Sequence, residues 1–171
     1  METPASIVRH PLHPMLVCVP LGLWLFSLVS DVIVYFSDVQ EIEILWFTLG
    51  YYTLAGGLAG ALAAAVPGLV DYRSLSQPRH RALATRHLAL NLVVISLYAI
   101  NLWLRSIDPP AFELAMGLSI VGMGLLALSA WIGGALVHVH GVGVAGHVDV
   151  ARDVPVSAGQ SEPSATRLRR T

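Results

Sequence analysis

HPLHPMLVCVPLGLWLFSLVSDVIVYF, residues 10–36, is the stretch on which the fold turns. From Met15 to Phe36 it holds one charged residue, Asp31, and as a helix it is long enough to cross a bilayer core, which takes about 20 residues. His10 and His13, each followed by a proline, stand directly at its start. The apolar run is longer than the core of a secretory signal, Glu2 precedes it, and no small-residue cleavage site follows. It therefore reads as a retained span.

Working outward, three more apolar stretches have the same length, so the spans fall at about 14–36, 45–70, 84–104 and 112–137. The composition agrees: 55% of the 171 residues are hydrophobic and 12% charged, against about a quarter charged in a soluble domain. Residues 1–13 read as an N-terminal His-Pro segment, 14–147 as the transmembrane domain, and 148–171 as a polar, proline-containing disordered tail. The near-neutral net charge of −1 suggests no nucleic-acid partner. One cysteine, Cys18, allows neither an internal disulfide nor a cysteine-ligated iron–sulfur cluster, and it reads as a packing residue.

All ten basic residues are arginines. Arg9, the second loop (Arg73, Arg79, Arg81, Arg86) and the C-terminal arginines fall on one side, and only Arg105 falls on the other. Cytoplasmic loops carry the arginine excess, so both termini and the second loop are expected in the cytoplasm. The fold class expected is all-α, an integral membrane up-down four-helix bundle. Every histidine then falls on its cytoplasmic side.

A spacing of alternating four and three residues marks one face of each helix. In span one it gives His13, Val17, Pro20, Trp24, Ser27 and Asp31; in span three, His87, Asn91, Val94, Tyr98, Asn101 and Arg105. Each series rises about 27 Å, close to the hydrocarbon thickness, and both run outward. Asp31 and Arg105 thus share the outer layer. A charge inside a span is normally paired, so an ion pair between them is expected, the alternative being Arg105 reaching headgroups while Asp31 bonds Ser27. Asn91, Tyr98 and Asn101 complete this polar seam.

Span two gives a stripe of small residues, Gly50, Thr53, Gly57, Gly60, Ala64 and Pro67, ending at Asp71. Span four gives Gly117, Val121, Gly124, Leu128, Trp131, Ala135 and His138. Such stripes serve close packing, or leave room for a flat cofactor. Together the seams set His13, Asp71, His87 and His138 in one cytoplasmic layer, with His10 and His140 in reach. Bundles build metal sites from facing side chains in this way. Three histidines and an aspartate suit zinc or non-haem iron, whereas haem b would take His13 or His87 together with His138. A hydrogen-bonded belt touching anionic lipid headgroups is the competing reading. A third is a small proton or ion transporter using the face from His87 to Arg105.

The segments HPLHPMLV (10–17), GLVDY (68–72), RHLALN (86–91) and WIGGALVHVHGVGV (131–144) resemble the bacterial four-helix membrane proteins called domain of unknown function 2231, from His10 to Val144. The matching positions are His10, His13, Asp31, Asp71, His87, Asn91, Asn101, Arg105, Gly133, Gly134, His140 and Gly141. At the C-terminal end the resemblance favours His140, the spacing His138. The resemblance implies a multi-pass protein of the bacterial cytoplasmic membrane. Some relatives continue into a Rieske-type iron–sulfur domain, which implies electron transfer, although the cysteines for that domain are absent here. The expected function is a membrane protein with a His/Asp cluster for a transition metal or haem, as an electron-transfer or redox-accessory subunit. The alternative is a non-catalytic scaffold with a structural seam. The expected partners are the lipid bilayer, a redox partner protein and, in a homo-oligomer, further copies of the chain.

Overall fold

An apolar segment in a bilayer finds no water for its peptide groups, so each of the four stretches satisfies its backbone internally as a helix. The computed structural model describes residues 4–7, 10–139 and 141–142. A two-residue strand β1 (Ser6–Ile7) pairs antiparallel with β2 (His10–Pro11), and five helices follow: α1 (Leu12–Leu16), α2 (Cys18–Phe36), α3 (Gln40–Ser74), α4 (Pro78–Ser106) and α5 (Phe112–His138). α1 and α2 form one span of 25 residues, and with α3, α4 and α5 they give four helices long and apolar enough to cross a membrane. The hitch between α1 and α2 lies at Val17, within reach of Pro20. Pro20 has no N–H to offer Leu16, four residues back, and its ring crowds that carbonyl.

The helices overrun the apolar stretches because polar residues go on hydrogen-bonding helically outside the bilayer core. α3 has 35 residues and rises about 52 Å, well beyond a core of about 30 Å. α4 starts with Pro78 in its first turn, where a missing N–H costs nothing. The turn between α3 and α4 is closed by Tyr72, whose hydroxyl lies 2.9 Å from Thr85 Oγ1 and whose ring carries the Arg81 guanidinium 5.7 Å from its centroid.

α2 lies along α3, and α4 along α5, so the bundle consists of two hairpins packed face to face. At the centre Trp24 and Tyr98 stack across the hairpins, ring centroids 4.0 Å apart and planes 4° from parallel, with Leu54, Ala61 and Val94 around them. The small residues make these contacts possible. A Cβ on Gly57 would fall 2.5 Å from the Trp24 indole, and one on Gly122 would fall 2.9 Å from the Tyr98 ring. At Gly57, in the span-two stripe, the open space is taken by the Trp24 indole; Gly122, which lies outside the span-four stripe, makes the same room for Tyr98.

The buried face of α2 (Pro20, Trp24, Ser27, Ser30, Asp31) follows the expected seam except at Val17, which is exposed. On α4, Val94, Tyr98, Asn101 and Arg105 are buried as spaced. On α3, Leu54 and Ala61 take the buried places expected for Thr53 and Gly60, one position away. α5 is turned. Its buried residues are Ala115, Ser119, Gly122, Ser129 and Leu136, whereas the expected Val121, Leu128 and Trp131 are exposed and Gly117 and Gly124 have nothing within 4 Å of a built Cβ. A lipid-facing surface is itself apolar, so apolar spacing carries no signal for which face of α5 is inside.

Candidate functional site

Two polar layers sit at opposite ends of the bundle core. At one end Arg105 forks onto Asp31: Nη1 donates to Oδ1 at 2.7 Å and Nη2 donates to Oδ2. The arginine also donates from Nε to Asn101 Oδ1 at 2.8 Å, and Asn101 Nδ2 donates to Ala115 O and to Ser119 Oγ, each at 2.8 Å. Ser119 Oγ donates to Asp31 Oδ2 at 3.3 Å. Ser27 donates to Gly50 O, and Gly50 keeps α3 near enough that a Cβ there would fall 3.4 Å from Arg105 Nη1. Asp31 and Asn101 are fully buried, and the buried charge is matched and hydrogen-bonded, as the interior of a membrane protein demands. Sequence spacing brings Asp31, Asn101 and Arg105 together. It misses Ser119, whose hydroxyl in a largely apolar helix is the available signal.

Toward the other end His13 and His87 face each other from the two hairpins, ring centroids 6.2 Å apart and planes at 85°. Each ring is fixed within its own hairpin. His13 Nδ1 lies 2.8 Å from Ala64 O of α3, and His87 Nδ1 lies 2.9 Å from Ser129 O and 3.0 Å from Ser129 Oγ of α5. A carbonyl can only accept, so both Nδ1 atoms carry the proton. Asn91 Nδ2 donates to His87 Nε2 at 3.0 Å and also to His87 O at 2.9 Å. Glycines seat both rings: a Cβ on Gly68 would fall 2.7 Å from His13 Nδ1, and one on Gly133 would fall 2.9 Å from His87 Cε1.

Asp71 accepts from the Ala5 backbone N–H at 3.0 Å and so ties down the N-terminal segment, where Leu12 N–H also bonds Ala5 O at 3.0 Å. His138 is exposed in the last turn of α5, a consequence of that helix's rotation, and His10 is exposed in β2. His140 lies outside the described residues. Among the described residues no group of three or more His, Cys, Asp or Glu side chains is arranged to hold a metal ion. Of His13, Asp71, His87 and His138, the structure brings the rings of His13 and His87 together. Cys18 is exposed on α2.

Between the two layers stands the Trp24–Tyr98 stack. Tyr98 is 1% exposed and Asn101 0%, so these two residues of the face from His87 to Arg105 are buried. Tyr98 donates to Ser119 O at 3.4 Å, a long bond that links the stack to the ion-pair layer.

A family model described as a predicted membrane protein, DUF2231, matches residues 9–146. No curated protein and no solved structure matches the chain. The match takes in every helix and both polar layers, and the chain belongs to the DUF2231 family of membrane proteins.

Proposed function

We propose that His13 and His87 hold a cofactor, a transition metal such as zinc or iron or a haem b, and that the protein serves as an electron-transfer or redox-accessory subunit in the bacterial cytoplasmic membrane. The observation that carries this reading is the matched seating of the two imidazoles. Each donates Nδ1–H to a backbone carbonyl of a neighbouring helix. That bond fixes the tautomer and raises the basicity of Nε2, the arrangement typical of metal-ligating histidines. The arginine distribution supports placing this end of the bundle in the cytoplasm, within reach of a soluble redox partner.

A second reading applies to the other layer. The Asp31–Arg105–Asn101–Ser119 network has its donors and acceptors matched, and it joins the hairpins. It supports a structural role, holding the two hairpins in register.

The test is elemental analysis of the detergent-purified full chain, kept free of chelators, beside His13→Ala and His87→Ala. The expected result is a stoichiometric metal, as free ion or as haem iron, lost in both variants while membrane insertion and helix content persist. Metal content that is absent, or unaffected by either substitution, overturns the reading.

A further inference from the structure

The number and geometry of the histidine donors narrow the cofactor. Resting on the reading of His13 and His87 as a cofactor site, we infer that they are the two axial ligands of one b-type haem lying between the hairpins.

Three observations lead there. The first is donor count. A structural zinc ion asks for four donors and a catalytic one for three from the protein, and the described residues bring two imidazoles and no third group. A haem iron brings four nitrogens of its own and takes the remaining two ligands axially.

The second is spacing. Two metal–nitrogen bonds of about 2 Å and two ring radii of about 1.1 Å place axial imidazole centroids about 6.2 Å apart. The His13 and His87 centroids are 6.2 Å apart, with planes 85° from each other. This is the spacing of two imidazoles on either side of one atom.

The third is support. The two nitrogens of an imidazole face away from one another, so pinning each Nδ1 to the carbonyl of a flanking helix turns Nε2 away from that helix. His13 is pinned to α3 and His87 to α5, each inside its own hairpin, so neither ligand depends on the other for its orientation. The atoms that seat the rings belong to Ala64, Gly68, Ser129 and Gly133, all small, so bulk beside the ligands is low. Asn91, which covers His87 Nε2, has a second acceptor in His87 O and keeps it when Nε2 binds iron.

The experiment is optical and magnetic. The full chain is produced in bacterial membranes supplied with a haem precursor, purified in detergent without chelator, and examined by absorption in oxidised and dithionite-reduced states and by electron paramagnetic resonance. The expected result is one haem per chain with a low-spin bis-imidazole signature. That signature is lost in His13→Gly and in His87→Gly and regained when free imidazole is added to either variant, which a misfolded protein would not do. His140→Ala keeps the spectrum. A colourless protein with one zinc or iron per chain overturns the haem inference and leaves the metal reading standing, and loss of that ion in His140→Ala identifies the missing donor. A protein that takes up neither metal nor added haemin overturns both. Haem whose spectrum is unchanged in both glycine variants is held elsewhere and overturns the inference.

Discussion

Arg105 on α4 meets Asp31 on α2 through two parallel hydrogen bonds, and this pair is the one place where opposite charges join the two hairpins among the described residues. Both side chains are 0% exposed, so each charge depends on the other for its solvation. Removing one partner of a buried pair costs about 3–5 kcal/mol, whereas replacing both by apolar residues is often near neutral. Asp31→Leu and Arg105→Leu are therefore each expected to lower the unfolding midpoint in detergent sharply, and the double substitution to recover most of the loss. The check is a thermal or denaturant melt of the three variants. Additive losses would show that the pair is not coupled.

The glycines separate into two groups that respond oppositely to alanine. At Gly57 a Cβ would lie 2.5 Å from the Trp24 indole, so Gly57→Ala displaces Trp24 from Tyr98, with an expected loss of about 1–3 kcal/mol. At Gly117 and Gly124 nothing lies within 4 Å, and alanine there removes backbone freedom from a helix at no steric cost. Those two variants are expected to gain up to about 0.5–1 kcal/mol each. Melting curves and tryptophan emission measure both effects together.

Asp71 holds the segment before α1 by accepting from Ala5 N–H. Asp71→Ala should free this segment while leaving the bundle core intact. Limited proteolysis is expected to cut within residues 4–11 much faster in the variant, with little change in unfolding midpoint. Unchanged cleavage would mean that the backbone bonds of the segment, the strand pair and Leu12 N–H to Ala5 O, hold it without Asp71.

Asn101 accepts from Arg105 Nε and donates to α5 at Ala115 O and Ser119 Oγ. Asn101→Leu removes these bonds and leaves a buried guanidinium N–H without its acceptor. An unmet buried partner of this kind costs about 1–3 kcal/mol, more when charged. The variant should melt earlier, and Ser119→Ala by a smaller amount, since Ser119 contributes a hydroxyl at the edge of the same network.

What the sequence shows of this architecture follows polarity. Asp31, Asn101 and Arg105 stand out because a charge or amide inside an apolar span has few places to go, and matching their heights along two helices that run the same way is enough to pair them. His13 and His87 are matched in height by the same argument. α5 is misread because its lipid face is as apolar as its buried face, and its true inner side is marked only by Ser119 and Ser129, which bond Asn101 and His87. The bond that Asp71 accepts from Ala5 is hidden for another reason: it comes from a backbone N–H, and backbone donors leave no trace in a residue pattern. The seats at Gly68 and Gly133 are hidden in the same way, since a missing side chain says that something approaches and not what.

The division of bonds between and within hairpins also bears on how the chain is made. Each histidine is anchored to a helix of its own hairpin, so that part of the structure can form as soon as two helices are in the membrane. Asp31 and Arg105 are different: the first hairpin holds the carboxylate and the second the guanidinium, and each is unneutralised by its fellow until the halves meet. During synthesis the first hairpin therefore waits with an exposed need for the second. A chain interrupted between α3 and α4 keeps a carboxylate in its first half whose counter-charge was to come from the second.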